Sequence, residues 1–542
     1  MGGWRSLTER SERWRSSGAL LLLLVGAITL GGLLLRLPSF HDSLFADEIS
    51  TYFVVVGHSL SRVLLLVHSN QEETPPLFFV LAWATKGVLG NPSQSIRIVS
   101  LLAGVAVIPL TFVLGLWTVG RRAALVGAVC VALSPHMIFF STEARAYMLV
   151  TFFALLSTLA LLRALDSGRL GWWVAYGAFS CAASYTHYTV VYLLVAQFVW
   201  AFWTRPKARR WLLAANAAAL LAYLPWLGGL REDLNGPNNI GPFTFHVLGS
   251  ELERLWIGHP DLPISHMPDR VGLALAVTGL AVGLLGLVLR ARGAGRAKWR
   301  VPPRTALIVV LALAPAVLIT VQSMVATNIV DGRDLTSSWP GLALAIGALV
   351  TSPARPLRLV AVTLTLGAFA IGGAKILGSD AQRPDIAAAV AFVDRVGRPG
   401  DPVVDAPFFA NPLSELDVAL ADAGQSTRYP VLRLGVPPLA EQLPPLSGPH
   451  PQPDPNLQVT PPQDVARQAV ALARHGTIFL VTPGGADASL VLKRSPDTPV
   501  GMFLKTLPGR FRMVEHVTYP GLSGILPESV YVFRDRGPTG GR

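Results

Sequence analysis

The sequence predicts a mainly α-helical, polytopic membrane bundle followed by a small α/β domain. Of the 542 residues, 51% are hydrophobic and only 14% are charged, and the mean hydropathy is +0.47. This composition is too apolar for a soluble globular chain and predicts the bundle. The long apolar runs end near residue 377, and shorter helix and strand patterns follow, which predicts the second domain.

Eleven apolar runs are predicted to span the membrane. A helix needs about 20 apolar residues to cross the roughly 30 Å hydrocarbon core. The runs lie near residues 19–36, 97–118, 122–140, 146–164, 171–186, 188–203, 211–229, 270–290, 305–326, 338–352 and 356–377. The first run lacks a small-residue cleavage site, so we interpret it as a retained span rather than a signal peptide.

The segment 76–90 is apolar, but it is short, opens with two prolines and contains Lys86. If this segment does not cross, every strongly basic short loop falls on the same side as the arginine-rich N-terminus, as the positive-inside rule requires. We therefore predict an interfacial helix at 76–90 within an outer loop, 37–96. The N-terminus is then cytoplasmic, and the C-terminal domain is extracytoplasmic at the plasma membrane.

The net charge of +12 comes with arginines clustered between apolar runs, where they have a topological role. We therefore do not expect nucleic acid as a partner. Both cysteines, Cys130 and Cys181, lie inside apolar runs. Neither a disulfide framework nor a cysteine-based metal site is predicted.

The predicted topology brings several charged and polar segments to the outer face. Any one of them could be a solvated loop charge, but together they predict a polar site at the membrane surface. The residues that carry this prediction are Asp47, Glu48, Glu73, Arg97, Glu143, Arg145, Tyr147, His187 and Arg333.

The order of these motifs resembles that of the GT-C glycosyltransferases, of the glycosyltransferase family 39 type. This type is related to protein O-mannosyltransferases and to the aminoarabinose transferases of lipid A. The resemblance covers residues 20–205 well, the later membrane half loosely and 378–542 not obviously. The motifs are Asp-Glu at 47–48, Glu-x-Pro-Pro-Leu at 73–77, Arg97, Gly-Arg-Arg at 120–122, Ser-Pro-His with Glu-Ala-Arg-x-Tyr at 134–147, and Tyr-Thr-His-Tyr at 185–188.

The resemblance implies transfer of a sugar from a polyprenyl-phosphate donor to a hydroxyl of a cell-envelope lipid, glycan or protein. Such a reaction needs a base for the hydroxyl and cations for the departing phosphate. By resemblance, Asp47 is the base of an inverting displacement, with Glu48 beside it in the site. Arg97, Arg145 and Arg333 are the candidates for the phosphate, because a guanidinium binds phosphate oxygens in a bidentate manner.

The other candidates for substrate binding are Glu73, Glu143, Tyr147 and His187. Structural roles stay open for several residues: Arg97 as an anchor at the end of a span, Arg145 as an ion-pair partner of Glu143, and His187 in an interfacial aromatic belt. Relatives often carry Lys or His immediately before Pro-Pro, where this chain has Thr74.

No cofactor is predicted with certainty. Carboxylates and histidine on one face leave a divalent metal open, but no His-x-x-x-His or similar ligand spacing assigns one. Membrane lipids are expected partners.

Two other functions remain open. A transporter or lipid-binding protein could use the charged cavity for binding only, although no repeated halves are seen in the sequence. A GT-C scaffold that has lost catalysis would fit the missing basic residue at Thr74.

Residues 1–377 are predicted to form the membrane catalytic domain, and 378–542 the α/β domain. In the second region, periodicity predicts helices at 385–396 and 462–473 and strands at 402–405, 477–482, 511–519 and 529–534. The proline-rich stretch 436–462 is predicted to be a loop or linker.

Overall fold

A computed structural model describes most of the chain. The described residues are 2–69, 72–235, 240–260, 262, 269–294, 301–407, 413–435, 460–483, 492, 496–522 and 527–537, without the side chains of 2–17, 293 and 294. Most of the predicted linker, residues 436–459, lies outside them.

The chain forms two compact units. The first, called the membrane unit here, contains residues Met1–Phe40, Glu73–Leu81 and Arg97–Leu377. The second, called the α/β unit, contains His41–Glu72, Ala82–Ile96 and Gly378–Arg542. Much of the predicted outer loop is therefore grouped with the C-terminal region. The domain boundary at residue 378 remains a prediction.

The helices of the chain alternate long apolar segments with short connecting ones. Up to Leu377 they are α1 Gly2–Leu34, α2 Leu37–Phe40, α3 Asp47–Val55, α4 Leu60–His68, α5 Leu77–Thr85, α6 Pro92–Thr118, α7 Arg121–Leu133, α8 Pro135–Ser141, α9 Tyr147–Ser167, α10 Leu170–Ser184, α11 Val190–Thr204, α12 Arg209–Tyr223, α13 Leu227–Asn235, α14 Phe245–Ile257, α15 Asp269–Ala294, α16 Pro303–Val325, α17 Trp339–Thr351 and α18 Arg355–Lys375. A 3₁₀ helix, Gly332–Ser338, precedes α17.

Each of the eleven predicted runs coincides with a helix or a bent helix pair, which confirms the predicted helical bundle. Among the described residues, six helices are long and apolar enough to cross a membrane, or seven if α7 and α8 count as one bent span. Shorter apolar helices occupy other predicted spans, α11 among them with 15 residues. The chain is a multi-pass membrane protein, and eleven is an approximate count.

The predicted interfacial helix at 76–90 is shorter than expected. Helix α5 covers only Leu77–Thr85, and turns follow from Lys86 to Leu89. The ammonium group of Lys86 donates to the carbonyl of His58 at 2.8 Å. The lysine is thus part of the local fold.

A buried arginine stabilises the bend between α7 and α8, whose axes differ by 58°. Pro135 has no N–H for the preceding turn, so carbonyls at the end of α7 lose helical partners. Arg36 is fully buried and donates to the carbonyls of Val131 and Ala132, both at 3.3 Å. Its Nε donates to the hydroxyl of Ser141 at 2.9 Å. The arginine supplies hydrogen-bond donors to two carbonyls at the bend, one of which, that of Val131, would otherwise bond the N–H that Pro135 lacks.

Small residues allow close packing between membrane helices, as between α7 and α17. A Cβ atom added at Gly347 would lie 2.4 Å from the carbonyl oxygen of Ala123. A Cβ atom added at Gly127 would lie 2.9 Å from the side chain of Leu344 and 3.3 Å from the carbonyl oxygen of Ala343 in the same helix pair. Lipid supplies no hydrophobic force that drives helices together, so such close contact contributes directly to helix association.

The α/β unit is built on a five-stranded mixed sheet. Its strands are β1 Val403–Asp405, β2 Val431–Arg433, β3 Thr477–Pro483, β4 Phe511–Tyr519 and β5 Glu528–Asp535. The order is β2-β1-β3-β5-β4. Strand β1 is parallel to β2 and β3, whereas β5 is antiparallel to β3 and β4. The predicted β1, β3, β4 and β5 are confirmed, and β2 was not predicted.

Four helices cover the two faces of this sheet: α19 Ile386–Val396, α20 Glu415–Asp422, α21 Pro462–Leu472 and α22 Pro499–Thr506. Helices α19 and α20 pack against Phe479 and Val532 on one face. Helices α21 and α22 pack against Ile478 and Phe533 on the other face. Side chains alternate across a strand, so neighbouring residues enter different cores. The predicted small C-terminal α/β fold is confirmed.

Candidate functional site

The predicted site residues are divided between the two units. Asp47 and Glu48 belong to the α/β unit. The other seven belong to the membrane unit: Glu73, Arg97, Glu143, Arg145, Tyr147, His187 and Arg333. The contacts within each unit show which of these residues lie together.

His187 is the centre of a polar cluster in the membrane unit. It lies in the turn between α10 and α11 and is 6% exposed. Its Nε2 is 3.6 Å from Oδ1 of Asp334, and its Nδ1 is 2.9 Å from the hydroxyl of Thr189. Burial, and then the positive charges of Arg333 and Arg145, lower the pKa of His187 to about 3. The imidazole is therefore neutral at physiological pH.

Asp334 is the acidic partner in this cluster. Its side chain is 13% exposed. Burial raises the pKa of its carboxyl group, and the nearby charges of Asp331 and Glu73 add to this effect. The cluster thus combines a neutral imidazole with a carboxyl group that retains its proton above the usual range.

Arg333 is anchored in the 3₁₀ helix before α17. Its Nε lies 2.9 Å from Oδ2 of Asp331, and 37% of its side chain is exposed. The hydroxyl of Thr336 donates to the Arg333 carbonyl at 2.6 Å. The hydroxyl oxygen of Thr336 also lies 3.0 Å from Nε2 of His136. Because the hydroxyl proton is already used, we assign the donor of the second bond to His136.

Glu143, Arg145 and Tyr147 occupy the turn from α8 to α9. Their exposed fractions are only 8%, 8% and 4%. The hydroxyl of Ser100 on α6 donates to the Arg145 carbonyl at 3.0 Å, which anchors this turn. The ring centroid of Tyr147 lies 5.4 Å from that of His187. This turn and the His187 turn therefore form one buried polar region.

Arg97 has a structural contact in addition to its predicted role. It is fully buried on α6, and its Nη1 donates to the carbonyl of Phe40 at 3.0 Å. Part of its donor capacity is therefore used to hold the chain after α1.

An apolar groove of about 770 Å³ runs between α10 and α12 in the membrane unit. Trp173, Ala218, Pro76, Leu77 and Tyr185 are among its lining residues. The N–H of Leu77 donates to the carbonyl of Tyr185 at 3.0 Å, which joins two of the lining segments at this end of the groove.

Two lining residues at that end of the groove are close in sequence to residues of the polar cluster. Tyr185 is two residues before His187, and Pro76 is three residues after Glu73. The charge of Glu73 also acts on Asp334. An elongated apolar surface therefore ends beside buried polar groups.

In the α/β unit, Asp47 and Glu48 begin α3 and differ in exposure. Asp47 is partly exposed, whereas Glu48 is fully buried. Glu48 pairs with Arg383, whose Nε lies 3.1 Å from its Oε2. Ala46, before the helix, has φ of 51°, a conformation that is uncommon for a residue other than glycine.

Three carboxyl groups meet beside this loop at one edge of the sheet: Asp405 at the end of β1, Glu415 at the start of α20 and Glu528 at the start of β5. They line a small cavity together with Phe45. Burial raises the pKa of all three, that of Asp405 to about 7. Their mutual charges add to the shift of Glu528.

The described part of the chain contains no group of three or more His, Cys, Asp or Glu residues arranged to hold a metal ion.

Comparison with known proteins supports the predicted resemblance. Residues 73–228 match the family model described as dolichyl-phosphate-mannose-protein mannosyltransferase. ArnT from Cupriavidus metallidurans in the apo state is similar in structure, with 12% identity, a TM-score of 0.54 and coverage of 95% of this chain and 98% of that chain. The same protein bound to undecaprenyl phosphate gives 14% identity, a TM-score of 0.52 and coverage of 97% and 99%. The chain has the GT-C fold.

A further match is the archaeal oligosaccharyltransferase AglB from Archaeoglobus fulgidus, with 10% identity, a TM-score of 0.48 and coverage of 86% of this chain and 69% of that chain. No curated protein matches the sequence. The predicted resemblance to GT-C glycosyltransferases of the protein O-mannosyltransferase and aminoarabinose transferase type is confirmed.

Two residues of this GT-C chain were missed as site candidates from the sequence. Asp334 is not among the candidates that the sequence predicts, although two carboxylates flanking one arginine, Asp331 and Asp334 around Arg333, are a signal of a charged turn. Arg383 lies far from any membrane motif, and nothing in the sequence linked it to Glu48. Thr74 was noted as a departure, and its hydroxyl is buried without a hydrogen-bond partner among the described residues.

Proposed function

We propose that this protein is an integral-membrane glycosyltransferase. It transfers a sugar from a polyprenyl-phosphate donor to a hydroxyl acceptor on the extracytoplasmic side. The observation that carries the proposal is the apolar groove of the membrane unit, whose lining residue Tyr185 is two residues before His187 of the buried polar cluster. A ligand with a long apolar chain and a polar head would match both features, with its chain in the groove and its head at the polar cluster.

The groove suits an isoprenoid chain because its lining is almost entirely apolar. Alanines along α12, among them Ala218, and the ring of Trp173 on α10 form its walls. Ligand sites of this size are mostly apolar, with a few polar groups that fix orientation. At the end near Tyr185, those polar groups are supplied by the His187 cluster.

Arginines of the membrane unit are proposed to bind the donor phosphate. Arg145 and Arg333 both influence the pKa of His187, which indicates that their charges lie close to it. Two guanidinium groups can stabilise the negative charge that develops on a leaving phosphate. Arg97 is a weaker candidate, because one of its nitrogens already binds the Phe40 carbonyl.

Asp47 is proposed to be the base that takes the proton of the acceptor hydroxyl. It is partly exposed at the first turn of α3, whereas Glu48 is buried and paired with Arg383. A carboxylate that reaches solvent can accept a proton, and a buried ion-paired one serves better as a support. One base is sufficient for an inverting displacement.

His187 is proposed to bind a sugar hydroxyl or a phosphate oxygen rather than to transfer a proton. Its lowered pKa keeps the ring neutral, so it can both donate and accept a hydrogen bond. Glu73, Glu143 and Tyr147 complete the proposed substrate-binding set.

The experiment is a transfer assay with the full chain in lipid nanodiscs. Radiolabelled polyprenyl-phosphate sugars are supplied with cell-envelope acceptors, and Asp47→Asn is compared with the parent protein and with Asp464→Asn. Asp464 lies on α21, with 36% of its side chain exposed. We expect transfer by the parent and by Asp464→Asn, and a loss of about 100-fold or more in Asp47→Asn. The product should have the anomeric configuration opposite to that of the donor.

Equal transfer by the parent and Asp47→Asn would remove Asp47 as the base. Saturable donor binding without transfer of any sugar would favour the alternative of a lipid-binding protein or a GT-C scaffold without catalysis. Protein-dependent movement of the intact donor across the membrane would favour a transporter. A reporter fused after residue 120 tests the orientation and should be cytoplasmic.

A further inference from the structure

A buried ion pair in the α/β unit connects the start of α3 to the segment before α19. Nε of Arg383 lies 3.1 Å from Oε2 of Glu48, and the two side chains are 3% and 0% exposed. Nη1 of the same arginine lies 3.9 Å from Oδ2 of Asp42. Charges that are removed from water need compensation by good partners. Arg383 therefore constrains the first turn of α3.

Two more contacts hold the same loop. The N–H of Ala387, near the start of α19, donates to the hydroxyl of Ser43 at 3.0 Å. Glu415, at the start of α20, lines a small cavity together with Phe45, and the N–H of Ala46 acts on its carboxyl group by lowering its pKa. Three separate points of the C-terminal sequence thus contact the short segment that precedes Asp47.

The loop needs such support because its backbone is strained. Ala46 has φ of 51° and ψ of −120°, which residues with a Cβ atom rarely adopt. Strained residues persist where the surrounding structure determines their conformation. Arg383, Ala387 and Glu415 contact the residues around Ala46, and these contacts fix the start of the helix.

We propose that Arg383 is a positioning residue for Asp47. By binding Glu48, it holds the first turn of α3 in one orientation, so that the partly exposed Asp47 is presented in a fixed direction. This inference rests on the proposed function, in which Asp47 is the base. It also gives a role to the C-terminal region, which supports the loop that carries the base.

The expected consequence is a defect in turnover rather than in binding. A base must be held within about 0.5 Å of its productive position, and misplacement by about 1 Å can cost about 100-fold in rate. Arg383 does not itself contact the reacting atoms in this proposal. Its replacement should therefore lower kcat strongly and change KM little.

The test uses the full chain in nanodiscs with Arg383→Met, Arg383→Lys, Glu48→Gln and the Glu48→Gln/Arg383→Met double variant. Arg395→Met is the matched control, because Arg395 is an exposed arginine on α19. Hydrogen–deuterium exchange is measured at residues 47–55 and at the β3 strand, 477–483. Transfer is measured with a radiolabelled polyprenyl-phosphate sugar as the probe.

We expect faster exchange at 47–55 in Arg383→Met, with unchanged exchange in β3, and a fall in kcat of about 100-fold. Arg383→Lys should recover part of both. The double variant should be no worse than Arg383→Met, because the two side chains act as one unit. Arg395→Met should match the parent.

Unchanged exchange at 47–55 in Arg383→Met would overturn the positioning role. A parallel increase in β3 would also overturn it, because the defect would then be general unfolding. Exchange could be faster only at 47–55 in Arg383→Met while the parent protein transfers no sugar. That result would support the role of the ion pair but would overturn the proposed reaction. Exchange and transfer thus separate the two proposals.

Discussion

Nε2 of His187 lies 3.6 Å from Oδ1 of Asp334, in two turns of the membrane unit that precede apolar helices. Burial lowers the pKa of the imidazole and raises that of the carboxyl group. Both shifts favour the uncharged forms, so neither side chain carries a formal charge at neutral pH. The two shifts therefore predict opposite dependences of folding stability on pH.

His187 should make the folded protein less stable in mild acid. Its folded pKa of about 3 is below the ordinary value of about 6.5. Between these two pH values, the unfolded chain binds a proton at His187 that the folded chain does not bind. The folded state is therefore destabilised, and the loss of folding free energy grows as pH falls. At pH 5 it is about 2 kcal/mol. The unfolding temperature of His187→Asn should fall less between pH 7 and pH 5 than that of the parent. His246→Asn, at an exposed position, should behave like the parent.

Asp334 should have the opposite effect. Its raised pKa means that the folded chain retains a proton that the unfolded chain has released. The stability from this proton is lost as pH rises through the folded pKa. Asp334→Asn should therefore flatten the decline in melting temperature between about pH 4 and the folded pKa of about 8. Glu253→Gln, at an exposed position of α14, is the control, and an equal decline in both variants would contradict the assignment.

The carboxyl group of Asp405 should give a similar dependence in the α/β unit. Burial raises the pKa of Asp405 to about 7. The charges of Asp417 and Glu415 add to this shift, and a hydrogen bond from Ser414 opposes it. Its ordinary value is about 3.9. Folding stability should fall between these values as pH rises, by on the order of 4 kcal/mol. Asp405→Asn should raise the unfolding temperature more at pH 8 than at pH 5.

The groove predicts a dependence on donor chain length. Ala218→Trp places a large ring among the lining residues of α12, whereas the neighbouring Ala217 is exposed and does not line the groove. We expect Ala218→Trp to raise KM for a long polyprenyl-phosphate donor several-fold and to affect a short-chain donor less. Ala217→Trp should match the parent with both donors. Equal KM values for Ala218→Trp and Ala217→Trp would contradict this use of the groove.

Close packing of α7 and α17 predicts a sharp difference between two glycines. Gly347→Ala would place a Cβ atom 2.4 Å from the backbone of Ala123, whereas Gly367→Ala would meet its nearest atom at 3.9 Å. Overpacking of this kind typically costs about 1–3 kcal/mol. Gly347→Ala should lower the unfolding temperature in detergent, and Gly367→Ala should leave it unchanged or raise it slightly. Equal melting temperatures would contradict the close approach.

Apolar run length and the resemblance of the motif order predicted much of the fold and named several members of the buried polar cluster as site candidates. The helical bundle and four of the five strands follow patterns that depend on local sequence. Strand β2 has only three residues, too few to show a period. The turns of Glu143 and His187 were both predicted as site segments, and they are brought together by ring contact with Tyr147. The pairing of Glu48 with Arg383 could not be predicted, because it joins residues more than 300 positions apart through tertiary structure alone.

Arg36 has a consequence for the order of assembly. One of its acceptors, the carbonyl of Gly32, belongs to α1 itself, whereas the other three lie 95 to 105 positions further along the chain. During synthesis, the arginine therefore has one of its final acceptors at once and the other three only after α7 and α8 have been made. A charged side chain that is removed from water needs good partners. The final packing of α1 therefore depends on helices that are synthesised about 100 residues later.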